Sequence, residues 1–265
     1  MIMTDHPSWV TGADGNPHRA IDNHGVSALI TTLRAGSGDV VFDLGGGGAE
    51  VAWIDPGALS GPDDLVEPLN QQGIVARVAN PSLWNAMSAA IMRQVVQAGT
   101  ARTRYIRFCT AHGEMVSRDD RTTFLFPAPE RLLALSDHDF DTVGAAFPRD
   151  ALRHAARSYL TDGARWEELW PLDLVTALQT VPRVGPWTAK CAVADYTNDF
   201  SIYDYSDIAV QPGAQALNPA RVWPQGAPAF KAAWEEIAGN QLSEWTILTL
   251  TWGMNHGKID RSATS

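Results

Sequence analysis

The residues most able to do chemistry lie between Leu178 and Val210. Pro182 ends a helix because it has no backbone N–H to donate. Gly185 permits a turn, and Pro186 suits the first position of the helix that follows. Val184 and Thr188 complete this turn-and-restart segment. Amides at such a helix start point outward and can donate to a phosphate oxygen. About twenty residues on, Asp207 stands between the tyrosine pair Tyr203 and Tyr205 and the apolar Ile208. A fixed carboxylate there could stabilise positive charge in a reacting group or orient a water. It could equally cap a helix starting at Ile208. Asp204, three residues earlier, is most simply a solvated acid.

Val181 through Ala189 reads Val-Pro-Arg-Val-Gly-Pro-Trp-Thr-Ala. It resembles the hairpin of the helix-hairpin-helix DNA glycosylase superfamily, usually Leu-Pro-Gly-Ile/Val-Gly-x-x-Ser/Thr-Ala. The likeness is to the 3-methyladenine DNA glycosylase II branch. It extends upstream to Ala90, Ile91, Met92, Arg93 and Gln94, similar to Ala-Ile-Leu-x-Gln, and to the segment from Phe126 to Leu132, similar to Phe-Pro-Thr-Pro-Glu-x-Leu. Together these span roughly residues 77–253. The departure is Arg183, where the family carries its first glycine. An arginine there is strained if the position keeps a positive φ; otherwise it supplies a phosphate contact of its own.

The resemblance implies a mostly α protein: a two-lobed helical glycosylase domain over 79–265 with a cleft between its lobes, after a small α+β domain over 1–78. It implies a monofunctional enzyme that hydrolyses the N-glycosidic bond of alkylated or bulky modified bases in base excision repair. Asp207, Ile208, Ala209 and Val210 match the family's catalytic segment, which makes Asp207 the catalytic carboxylate. Trp187 occupies the place of the Schiff-base lysine of bifunctional relatives and becomes a wall for the extruded base. Gln94 is placed to fill the gap left by a flipped base, Val95 to act as a wedge, and Tyr203 and Tyr205 to line the cleft. Pro182, Arg183, Val184, Gly185 and Thr188 face the DNA backbone. The partner is double-stranded DNA carrying a damaged base. The alternatives are a non-catalytic DNA- or partner-binding module on the same fold, and an N-glycosidase for a non-DNA nucleoside.

Composition constrains this reading. Of 265 residues, 45% are hydrophobic and 19% charged, as in an ordinary globular protein. No apolar run approaches the roughly 20 residues of a membrane span, and Met1 to Pro7 lacks the features of a signal peptide. The expectation is a cytoplasmic monomer without membrane contact. Two cysteines, Cys109 and Cys191, are too few to ligate zinc or an iron–sulfur cluster. His112, His138 and His154 lack ligand spacing, so neither metal nor cofactor is expected. The net charge of −10 opposes DNA binding. Residues 77–190, however, hold 14 of the 20 basic and only 12 of the 30 acidic side chains. Weak, salt-sensitive binding follows.

Ser27 to Arg34 suggests a short helix. Val40 to Leu44 and Ala49 to Ile54 suggest two strands joined in a hairpin by Gly45 to Gly48, rather than a nucleotide-binding loop. Pro62 to Gln72 suggests a helix and Gly73 to Val78 a strand. Beyond Asn80 almost every periodic segment is helical, with starts marked by Asn80–Pro81, Pro129–Glu130 and a capping box at Ser136 and Asp139.

Overall fold

A computed structural model describes residues 1–34, 40–204 and 209–256. The chain forms two compact units: one from Met1–Met3, Val51–Val78 and Asp199 onward, the other from Thr4–Glu50 and Ala79–Asn198. They alternate along the sequence, so residues 1–78 contribute to both. The protein is mostly helical with small sheets.

The larger unit begins with a four-stranded antiparallel sheet in the order β1 (Val10–Thr11), β2 (Pro17–Asn23), β3 (Val26–Arg34), β4 (Val40–Asp43). Strand β3 corrects the expected helix at Ser27 to Arg34. Its β-branched Val26, Ile30, Thr31 and Thr32 favour strand, and a two-residue turn at His24 (φ 49°) and Gly25 (φ 84°) sets the register Asn23↔Val26. The expected hairpin through Gly45 to Gly48 is also corrected. Strand β4 pairs with β3, whereas β5 (Val51–Ile54) pairs with β6 (Val75–Val78) in the other unit. Gly45, Gly46 and Gly48 all adopt positive φ. A Cβ on Gly47 would lie 2.6 Å from that of Ala28, so the loop is pressed onto β3 and leaves the sheet.

The helices of this unit are α2 (Leu83–Met92), α3 (Ala98–His112), α4 (Pro129–Leu133), α5 (Asp137–Thr142), α6 (Arg149–Trp166), α7 (Pro171–Leu178) and α8 (Pro186–Thr197). Between α3 and α4 runs a hairpin that the helical expectation missed, β7 (Met115–Arg118) with β8 (Arg121–Phe124). Most starts are as the sequence suggests. Proline opens α4, α7 and α8, and the Ser136–Asp139 capping box is complete. Each such cap stabilises its helix by about 1 kcal/mol. Ser82, rather than Asn80, caps α2 by accepting from the Asn85 amide at 3.2 Å.

Helix α2 is buried from Leu83 to Met92 except at half-buried Asn85, and packs on α8, where alanines on both helices permit close approach. Buried polar groups fix the pair. Asn80 Nδ2 donates to Asp195 Oδ2 at 2.7 Å and to Asn85 Oδ1 at 3.0 Å, and Asn85 Nδ2 donates to the Tyr105 hydroxyl at 2.8 Å. His6 Nε2 lies 3.8 Å from the same Asp195 oxygen. Buried groups paired in this way are costly to disconnect, so the depth of α8 is set. Around them Trp84, Tyr105, Phe108, Phe126 and Phe140 form an aromatic core, with Phe108 and Phe126 stacked at 5.2 Å.

The smaller unit holds β5, β6, α1 (Asp63–Gln72), α9 (Val210–Leu217), α10 (Ala227–Ala238) and α11 (Leu242–His256). Its core centres on Leu65, Leu69, Phe230, Trp234 and Trp245. No helix among the described residues is long and apolar enough to cross a membrane.

Candidate nucleic-acid interface

Two chain turns meet on one face of the larger unit. The first is the end of α2, where Arg93 is the helix C-cap and the chain breaks away at Val95. The second joins α7 to α8. There the amides of Thr180, Val181 and Val184 bond back to Ala177, Leu178 and Val181, winding the chain tightly before Gly185 caps α8 and Pro186 starts it. The expected hairpin is present. Its left-handed residue is Arg183 at φ 69°, while Gly185 is ordinary extended backbone at φ −87°. Arginine therefore occupies the conformation for which glycine is suited, at a cost of about 1 kcal/mol or more.

Gln94 ties the turns together by donating to the Arg183 carbonyl and the Thr188 hydroxyl. Val95 then projects outward, 87% exposed, at φ 58°. A β-branched residue in the left-handed region is an outlier, and such strain gathers at functional sites. Gln94, Val95, Phe147, Ala151, Arg183, Gly185, Trp187 and Thr188 line one cavity of about 480 Å³. That is within the range of small-ligand pockets. The amino-terminal end of α8 gives it positive polarity.

The sequence-derived candidates divide accordingly. Gln94, Val95, Arg183, Gly185, Trp187 and Thr188 come together at the cavity. Pro182 is exposed on the same turn, and Val184 is buried beneath it. Tyr203 belongs to the other unit, 4% exposed and stacked on Phe200 at 5.5 Å, a placement that lends a substrate role no support. Asp207 and Tyr205 lie outside the described residues.

Sequence reasoning missed two cavity features. Phe147 is 59% exposed at the cavity wall, ahead of Pro148 and α6. An apolar ring beside a proline-marked helix start, after a glycine turn at Gly144, was the available signal. The second is the Arg93 guanidinium, 6.0 Å from the Trp187 ring centroid. It adds a cation–π contact to one wall. Among the described residues, no group of three His, Cys, Asp or Glu side chains is arranged to hold a metal ion.

No protein-family model and no curated protein matches the sequence. Solved structures do match. A 3-methyladenine DNA glycosylase from Archaeoglobus fulgidus superposes with a TM-score of 0.73 at 14% identity, over 96% of this chain and 91% of that one. An 8-oxoguanine glycosylase/lyase from Clostridium acetobutylicum, in complex with double-stranded DNA, gives 0.73 at 13% identity over 96% and 90%. A DNA-3-methyladenine glycosidase from Bacillus halodurans gives 0.54 at 17% identity over 74% and 87%. The chain has the helix-hairpin-helix glycosylase fold. Identity this low shows the glycosylase fold alone, and its neighbours include both a glycosylase/lyase and 3-methyladenine enzymes.

Proposed function

We propose that the protein is a monofunctional DNA N-glycosylase that removes alkylated or bulky modified bases by hydrolysis, as in base excision repair. The observation that carries this reading is the convergence of Gln94, Val95 and Trp187 on one cavity beside the α7–α8 hairpin, in a chain of glycosylase fold. A backbone phosphate docks at the amino-terminal end of α8, which positions the duplex without reading its sequence. Val95 and Phe147 are exposed apolar side chains of the right kind to enter the base stack. Unstacking costs a few kcal/mol and least at a damaged pair, a source of selectivity in itself. Trp187 offers the extruded base a stacking surface.

Bond cleavage develops positive charge on the sugar as the base leaves with the bonding electrons. Asp207 is assigned the task of stabilising that charge and orienting the water whose oxygen attacks C1′. The water's proton passes to the carboxylate and from there to the departing base, or to solvent where a cationic base leaves neutral, giving an abasic sugar, a free base and the regenerated carboxylate. The test is incubation with alkylated genomic DNA and identification of released bases by mass spectrometry. Wild-type protein should release modified bases, and Asp207→Asn should release them at least a hundredfold more slowly, in line with loss of a principal charge-stabilising group. Equal rates would sink the assignment of Asp207.

A second reading, a DNA-binding module without catalysis, is favoured by one observation: Arg183 is strained and ion-paired within the protein. Lesion-dependent binding without any abasic product would support it, and Asp207-dependent base release would eliminate it.

A further inference from the structure

Arg183 is the hairpin's departure from the family pattern, and its guanidinium turns back onto the protein. Its Nη2 lies 3.3 Å from Oδ2 of Asp150, in the first turn of α6. Asp150 is also 3.7 Å from Arg149 Nε, and Arg149 in turn reaches Asp137 at 3.2 Å and Asp141 at 3.6 Å. Charges of alternating sign thus run along the start of α6 and end at the hairpin. Phe147 and Ala151, on either side of Asp150 in sequence, both line the cavity. Among the described lining residues Arg183 carries the sole charge.

The side chains of Arg183 and Asp150 are 60% and 47% exposed. An exposed pair of this kind is weakly held and exchangeable. A phosphate arriving at the hairpin offers the guanidinium a better partner, with bidentate geometry.

We propose that Asp150 is a built-in competitor for the DNA backbone: it occupies Arg183 in the free protein, yields it to a phosphate on binding, and so sets how strongly the hairpin holds DNA. This rests on the DNA reading above. It assigns Arg183 a direct phosphate contact gated by one carboxylate. It also gives a local cause for weak binding that the overall charge of −10 does not supply.

The test is titration of the full chain with a short undamaged duplex at several salt concentrations, followed by fluorescence anisotropy. Asp150→Asn keeps the side-chain shape and removes the charge. It should tighten binding about three- to fivefold at low salt, a gain that shrinks as salt rises and weakens the Asp150–Arg183 pair in the wild type. Asp141→Asn, which removes a carboxylate from Arg149 but not from Arg183, should change little. Placing Asp150→Asn in an Arg183→Ala background should abolish the gain. Measurable wild-type binding left unchanged by Asp150→Asn would overturn this inference alone, as would a gain that survives Arg183→Ala. Absence of DNA binding in wild type and Asp150→Asn alike would overturn the DNA reading, and this inference with it.

Discussion

Gln94 Nε2 donates to the carbonyl oxygen of Arg183 at 3.0 Å, across 89 positions of sequence. One amide thereby fixes the end of α2 against the left-handed residue of the hairpin, and a second bond at 2.8 Å reaches the buried Thr188 hydroxyl. Gln94→Ala leaves both acceptors without this donor and should lower stability by about 1–1.5 kcal/mol in urea unfolding. Base release should slow as well, because the wall of the cavity loses its anchor. Unchanged stability together with unchanged excision would show that the bridge positions nothing.

Val95 makes an unusual prediction about stability. Its left-handed backbone costs roughly 1–3 kcal/mol, while glycine loses about 0.5–1 kcal/mol in chain entropy. Val95→Gly should therefore stabilise the fold by about 1 kcal/mol while reducing excision, since the exposed apolar side chain is removed. Stability and activity would move in opposite directions. A loss of both would mean that the side chain serves packing.

Product chemistry tests Trp187. On the proposed reading, with no amine at that position, water is the nucleophile, and borohydride added during turnover should trap no covalent DNA complex. Strands should break only after heat or alkali. Lys190, three residues along α8, is the nearby amine that could act instead. A trapped complex that disappears in Lys190→Ala would show a bifunctional enzyme.

Acid sensitivity should be traceable to His18 on β2. Burial holds its imidazole below the ordinary value of 6.5, against a smaller opposing effect from the Asn16 backbone. The unfolded chain therefore takes up a proton near pH 6.5 that the folded chain resists. Stability is full above that pH and declines as pH falls below it, until the folded form protonates too. His18→Gln should flatten the decline that sets in below about pH 6.5 in urea titrations. A further loss belongs to Asp137 and Asp64, whose carboxyls are held below 3.8 chiefly by hydrogen bonds from Arg153 and Arg221. That loss begins only as pH falls through about 4 and should persist in His18→Gln.

What the sequence disclosed depended on whether the signal was local. Proline at the first turn of α4 and α8, and serine with aspartate three residues later at α5, are decisions the backbone makes within one turn. Those elements were legible. Strand β3 was not, because its apolar residues are compatible with either periodicity and its pairing with β2 decides. The hairpin β7–β8 hid in polar residues around Asp119, a non-glycine at φ 54°. At the site, the hairpin and Trp187 were readable from residue types. The strain at Val95, the place of Phe147 and the Asp150–Arg183 pair were not, since each depends on residues distant in sequence. The Asn80–Asp195 hydrogen bond that sets the depth of α8 spans 115 positions and leaves no local trace.

The alternation of the two units has a consequence for the nascent chain. The larger unit has all its residues once Asn198 is made. By contrast β5, α1 and β6 emerge early, and α9 and α11, which pack on α1, are made last. Synthesis of the intervening stretch of about 120 residues takes on the order of ten seconds. Throughout that interval Leu65, Leu69 and Val75, fully buried in the finished protein, lack their cover. This segment is the one that a ribosome-associated chaperone should meet.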